Sequence, residues 1–366
     1  MSGKLARSLL KEFEKYTSEV HFKKITGVSG RVLKLDGNEN LFLNYKFINR
    51  IIRDSLSEIE ANLYTDTLCQ DLREALARHF HLPAEYVMVG NGADGVIDAI
   101  VKTFLEPGVS AVVVEPTYSI YKFFIKIMGA IYKPVLLEDN FSLVPEKIIN
   151  ACDEATKLIF MCSPNNPTGN QFQYEQVVSL LENSNNILVL DEAYAEFGNY
   201  SLIPALRKYS NLIILKTMSK AYGLASLRAG YCLANPEIIE ELLKVSPPYP
   251  VNIVAQKIIP KILTQVNLIL NAVNKIRKQR SRMFKQLNDI NGVEAYPSDA
   301  NFILFRIIDR KLTGNKVHES LLKKGVVVRN RGSLPKLENC LRVTVCPALE
   351  GEIFIEALKE CMSDEL

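Results

Sequence analysis

Short apolar runs alternate with amphipathic stretches along most of this chain. Six runs have the length and composition of strands: YVMV (86–89), SAVVVE (110–115), KLIFMC (157–162), NILVLD (186–191), NLIILK (211–216) and AGYCLA (229–234). None alternates strictly between apolar and polar positions, the pattern of strands covered on both faces. Between several of them lie helix-length segments, including GVIDAIVKTFLE, YEQVVSLLEN and PEIIEELLK. That order predicts an α/β fold, a mainly parallel sheet covered by helices.

After Pro260 the pattern changes. Residues Lys261 to Leu287 have helical spacing and a basic face, and the strand-like NFILFRI (301–307) follows. Next come the helical KVHESLLKK, the strand-like VVVRN and CLRVTVC, and a last helix near Glu352 to Met362. These elements predict a smaller α+β domain over 261–366, with 1–35 as an N-terminal segment completing it and 36–260 as the large domain. No period of 20–50 residues repeats, which argues against a solenoid.

Composition narrows the function classes. The 366 residues are 48% hydrophobic and 23% charged with a formal net charge of +3, ordinary globular usage without the concentrated basic face of a nucleic-acid binder. Seven cysteines form no C-x-x-C pair and are odd in number, which favours a reducing, cytoplasmic setting over a disulfide framework. The opening MSGKLARSLLKEFEKY has no apolar signal-peptide core, and no window is apolar enough for a membrane span. The expectation is a soluble cytoplasmic protein without nucleic-acid or membrane partners.

In an open parallel sheet, ligand sites gather at the carboxyl ends of the strands. Here those ends run into GNGAD (90–94), PTYS (116–119), SPNNPTG (163–169), EAY (192–194) and TMSKAYGLASLRAG (217–230). Asn, Tyr, Asp, Ser, Lys and Arg thus converge on one crevice, more polarity than loop filling requires.

With these motifs the chain resembles the fold-type-I pyridoxal-phosphate aminotransferases and, within them, the histidinol-phosphate aminotransferases. GNGAD, PTYSIY, SPNNPTG, DEAYAEF, SKAYGLASLR, PYPVN, ANF and CLRVTV occur in family order over nearly the whole chain. The most specific combination is SPNNPTG, DEAY, and Ser-Lys with an Arg eight residues after Lys220. The resemblance implies pyridoxal 5'-phosphate held as a Schiff base on Lys220, which then shuttles the substrate proton. Asp191 would keep the pyridine nitrogen protonated, although a helix N-cap would also account for an Asp there. Tyr194 and Asn166 would hydrogen-bond the phenolic oxygen, and Tyr118 would stack on the ring; Asn-Pro-Thr-Gly is also a fair turn sequence.

For the phosphate the resemblance implies backbone donors at Ala93 and Asp94, with side-chain donors at Thr217, Ser219 and Arg228. Tyr64, in NLYTDT, would reach that phosphate from a neighbouring subunit, which implies a homodimer. Substrate binding would fall to Arg342 and Arg329, thirteen residues apart, with Tyr16 and Asn38 nearby. The implied substrates are histidinol phosphate and glutamate/2-oxoglutarate, with no metal. Aromatic aminotransferases and threonine-phosphate decarboxylases stay open as alternatives. A non-catalytic regulator would need an N-terminal helix-turn-helix module, for which the chain before Asp36 is too short.

Four positions depart from the family pattern: Gly95 replaces Glu, Leu41 and Thr65 replace Pro, and Cys346 replaces Gly. None carries a catalytic group. Residues 90–95 also read as G-x-G-x-x-G, with Glu115 twenty residues beyond Gly95, a dinucleotide-binding fingerprint. That reading leaves SPNNPTG, DEAY and the Ser-Lys segment unexplained.

Overall fold

The computed structural model describes residues 7–13 and 32–363. In chain order the first half comprises β1 (Leu33–Lys34), α1 (Tyr45–Leu56), α2 (Gln70–Phe80), β2 (Val87–Asn91), α3 (Gly92–Phe104), β3 (Ser110–Glu115), α4 (Ile120–Ile127), β4 (Ile131–Leu136), α5 (Pro145–Ala151), β5 (Thr156–Cys162), α6 (Tyr174–Asn183) and β6 (Ile187–Asp191). The second half comprises β7 (Leu212–Thr217), β8 (Ala229–Ala234), α7 (Pro236–Val245), α8 (Ile253–Leu263), α9 (Val266–Asn288), β9 (Val293–Ala295), β10 (Phe302–Ile307), α10 (Gly314–Lys323), β11 (Val326–Val327), β12 (Arg329–Asn330), β13 (Cys340–Thr344) and α11 (Ala348–Ser363).

Seven strands form the main sheet in the order β2-β8-β7-β6-β5-β3-β4. All neighbouring pairs are parallel except those made by β8, which runs against β2 and β7. Alternate residues of one strand enter two separate cores: Val112 and Val114 join one, Ala111 and Val113 the other. Both faces are therefore apolar, which is why the six runs lack polar alternation.

Helix boundaries follow local chemistry. Asn44, Asn235, Asn252 and Thr313 cap α1, α7, α8 and α10 with side-chain oxygens that accept from the first turn. Pro236 at the start of α7 loses no intrahelical hydrogen bond.

Two expectations need correction, and one strand of the main sheet lies outside the six runs. The helix expected from Lys261 to Leu287 is two helices, broken at Thr264–Gln265, and Pro260 lies inside the first. The run VVVRN serves two sheets: β11 pairs in parallel with β1, whereas β12 joins the antiparallel sheet β12-β13-β10-β9. That main-sheet strand is the edge strand β4, IYKPVL, which holds Pro134 and is partly exposed. An edge tolerates Pro because one side of the strand has no ladder partner.

No single described helix is long and apolar enough to cross a membrane.

Candidate active site

A cavity of about 300 Å³ opens where the carboxyl ends of β3, β5, β6 and β7 meet the start of α3 and the β12–β13 edge of the smaller sheet. Each main-sheet strand delivers its residue by ending there. Asp191 is the last residue of β6, Thr217 the last of β7, and Lys220 follows three residues later.

Asp191 is buried, and burial lifts its carboxyl to about 6. Two donors oppose that rise: the Tyr121 hydroxyl at 2.5 Å from Oδ2, and the Ala193 backbone N–H at 2.9 Å from Oδ1. Lys220 Nζ donates to the Gly37 carbonyl at 2.9 Å and lies 5.7 Å from the Tyr194 ring centroid. Burial, with the Arg342 charge next in weight, lowers its ammonium to about 8. An amine of that kind is neutral and nucleophilic at far lower pH than a surface lysine.

Tyr194 is buried, and burial holds its phenol at about 12. Its hydroxyl accepts from Asn38 Nδ2 at 3.0 Å. Asn38 adopts φ 54° and is pinned by its N–H on Thr344 Oγ1 at 3.0 Å and by Asn301 Nδ2 on its carbonyl at 2.9 Å. Arg342 Nη1 donates to Asn166 Oδ1 at 2.6 Å, tying the smaller sheet to the loop after β5.

At the other end of the cavity, Asp94 accepts from the Tyr118 hydroxyl at 3.0 Å and from Arg228 Nη2 at 3.2 Å. Thr217 and Ser219 line the same end, beside Ala93 at the N-terminus of α3. Gly230 makes this approach of α3 to β8 possible: a Cβ there would lie 2.3 Å from both Ala93 N and Gly92 C.

Thirteen of the sequence-predicted residues line this one cavity: Asn38, Ala93, Asp94, Tyr118, Asn166, Asp191, Tyr194, Thr217, Ser219, Lys220, Arg228, Arg329 and Arg342. Tyr64 does not; it is 86% exposed and stacks on Tyr249 with ring centroids 4.8 Å apart. Tyr16 lies outside the described residues. Sequence reasoning missed Tyr121, Gly37 and Arg331. Tyr121 stands three residues after Tyr118 on the buried side of α4, and Arg331 alternates with Arg329, so spacing held a signal for both.

The donor set fits pyridoxal phosphate. Hydroxyls, a guanidinium and a helix N-terminus suit a phosphate, and the buried carboxylate suits a pyridinium. A lysine of lowered pKa suits an aldehyde carbon. Asn38 Oδ1, buried at the cavity wall without a hydrogen-bond partner among the described residues, leaves an acceptor for a ligand. Among the described residues no cluster of His, Cys, Asp and Glu could hold a metal ion.

Comparison with known proteins gives concordant results. The sequence profile of the class I and II aminotransferases matches residues 30–358. A histidinol-phosphate aminotransferase of Caldanaerobacter subterraneus subsp. tengcongensis is 35% identical over 365 residues, 99% of this chain and 100% of that protein. The fold is similar to that of the histidinol-phosphate aminotransferase from Sinorhizobium meliloti, solved in complex with pyridoxal-5'-phosphate (TM-score 0.86, 24% identity, 97% of this chain and 96% of that one). It is also similar to L-threonine-O-3-phosphate decarboxylase from Porphyromonas gingivalis (TM-score 0.80, 22% identity, 90% and 99% covered), so the fold alone does not select the reaction.

Proposed function

Because the chain belongs to the class I and II aminotransferases, we propose that it moves an amino group between histidinol phosphate and 2-oxoglutarate/glutamate, a step of histidine biosynthesis. It is a pyridoxal-phosphate-dependent transaminase. The observation that carries the substrate reading is the pair Arg329 and Arg342, directly opposite on β12 and β13 at the wall of the cavity that also holds Lys220. Histidinol phosphate offers an anion there in one half-reaction, and the dicarboxylate offers one in the other.

When bound, the cofactor supplies an electron-withdrawing pyridinium ring that weakens the bonds of the donor's Cα. Asp191 is the residue for holding the ring nitrogen protonated, because an ionised carboxylate in a buried site pairs strongly with a cation. Ala93, Asp94, Thr217, Ser219 and Arg228 would anchor the phosphate, and Tyr118 would cover the ring. Tyr194, with Asn38 on its hydroxyl, and Asn166, on Arg342, would orient the phenolic oxygen. Lys220 would hold the cofactor through Nζ. Displaced by the donor amine, the neutral Nζ would take the Cα proton and return it at C4′.

Tyr64 does not line its own cavity and is exposed, and in a homodimer it would be offered to the phosphate in the second copy. The seven cysteines, none in a disulfide, fit a cytoplasmic setting.

The test is the visible spectrum of the purified protein. Histidinol phosphate should remove the band of the bound cofactor, and 2-oxoglutarate should restore it. A band that answers only to aromatic donors would replace the substrate, and no band with added pyridoxal phosphate would overturn the reading.

A further inference from the structure

Arg331 lines the cavity together with Arg329 and Arg342, making a third guanidinium on one wall. Its direction is set by the strand pairing. Arg329 lies opposite Arg342 and Asn330 opposite Leu341, and the Arg331 N–H donates to the Cys340 carbonyl at 2.9 Å, continuing the ladder one residue further. Side chains alternate along a strand, so Arg329 and Arg331 share a face. Asn330 takes the other and donates to Asn315 Oδ1 at 2.6 Å, away from the cavity. Two residues of strand carry the cationic wall about 6–7 Å past the Arg329–Arg342 pair.

That extension matches a difference between the two substrates. A carboxylate on Cα is attached directly, whereas the phosphorus of a 2-aminoalkyl phosphate is separated from Cα by a methylene and an ester oxygen. A phosphate monoester also carries more charge and a third terminal oxygen, which one bidentate arginine leaves without a donor. Arg342 is already committed in part, with Nη1 on Asn166 and Nη2 on the Asp36 carbonyl.

We propose that Arg331 is a specificity-determining residue that binds the phosphate monoester of the amino donor and has little contact with the dicarboxylate. This rests on the donor being a phosphorylated amine, as proposed above.

The test uses full-length holoenzyme carrying Arg331→Gln or Arg331→Lys, with the cofactor band as the readout for single half-reactions. Arg331→Gln should weaken the response to histidinol phosphate about 10- to 100-fold, the worth of a hydrogen bond to a charged group. The response to glutamate should change less than about threefold, and Arg331→Lys should recover part of the loss. Calorimetric titration of holoenzyme with inorganic phosphate should show binding to the unsubstituted protein that Arg331→Gln weakens. Equal losses with both donors, or no loss with histidinol phosphate, would overturn the proposal. Should the unsubstituted holoenzyme ignore histidinol phosphate, the substrate reading falls. The phosphate titration then decides Arg331 separately, and binding unchanged by Arg331→Gln overturns it.

Discussion

The Tyr121 hydroxyl donates to Asp191 Oδ2 at 2.5 Å, linking a helix residue to the end of a strand 70 positions later. Burial raises the Asp191 carboxyl to about 6, and this hydrogen bond counters the rise. Removing it by Tyr121→Phe should therefore raise the carboxyl further. Cofactor binding uses the ionised form, so affinity falls as pH drops through the Asp191 pKa of the free protein. The acid limb of cofactor affinity, titrated between about pH 5 and 8, should move to higher pH in Tyr121→Phe. An unmoved limb would show that another group controls it.

Lys220 gives the opposite limb. Its ammonium is lowered to about 8 by burial first and the Arg342 charge second, and only the neutral amine attacks an aldehyde. Capture of pyridoxal phosphate by cofactor-free protein should accelerate with rising pH and level off above about 8. Removing the positive charge in Arg342→Gln should shift that midpoint upward, as followed by absorbance.

Lys220→Ala removes both the anchor and the proton carrier. Multiple turnover with histidinol phosphate and 2-oxoglutarate should fall by at least about 10³-fold, while weak noncovalent cofactor binding survives. Near-normal turnover would assign the chemistry elsewhere.

Gly230→Ala places a methyl group 2.3 Å from backbone atoms of Gly92 and Ala93. Backbone cannot yield as a side chain can, so β8 and the start of α3 must separate. Denaturant unfolding should show a loss of about 2–3 kcal/mol, with weaker cofactor binding because the α3 N–H groups move. A stable variant with full cofactor affinity would mean that α3 shifts freely.

Lys216 Nζ lies 2.9 Å from Glu196 and 3.4 Å from Glu192, and the side chains of Lys216 and Glu192 are 3% and 2% exposed. Lys216→Met leaves a buried carboxylate uncompensated and should cost about 3–5 kcal/mol of stability. Adding Glu192→Gln should recover part of it in a double-mutant cycle.

Local sequence determined a good deal here. The six strand runs were legible because the main sheet is covered on both faces, and burial on both faces writes an apolar run that needs no partner to be read. That Lys220, Asp191 and Asn166 share one cavity was legible because polar residues at the end of such a run, or within four residues after it, sit at the carboxyl end of a strand. The Ile131–Leu136 strand was not, since an edge is neither fully buried nor barred to proline. The break at Thr264–Gln265 was not either, because α8 and α9 are both amphipathic and only their packing fixes the bend. What the tertiary structure alone decided is which distant groups meet: Tyr121 with Asp191, Gly37 with Lys220, Gly230 with Ala93, and Arg331 with the arginine pair. Those meetings set pKa values, close approaches and the reach of the anion wall. They depend on strand order and register, which arise from the global burial of two cores and are written in no local stretch of the chain.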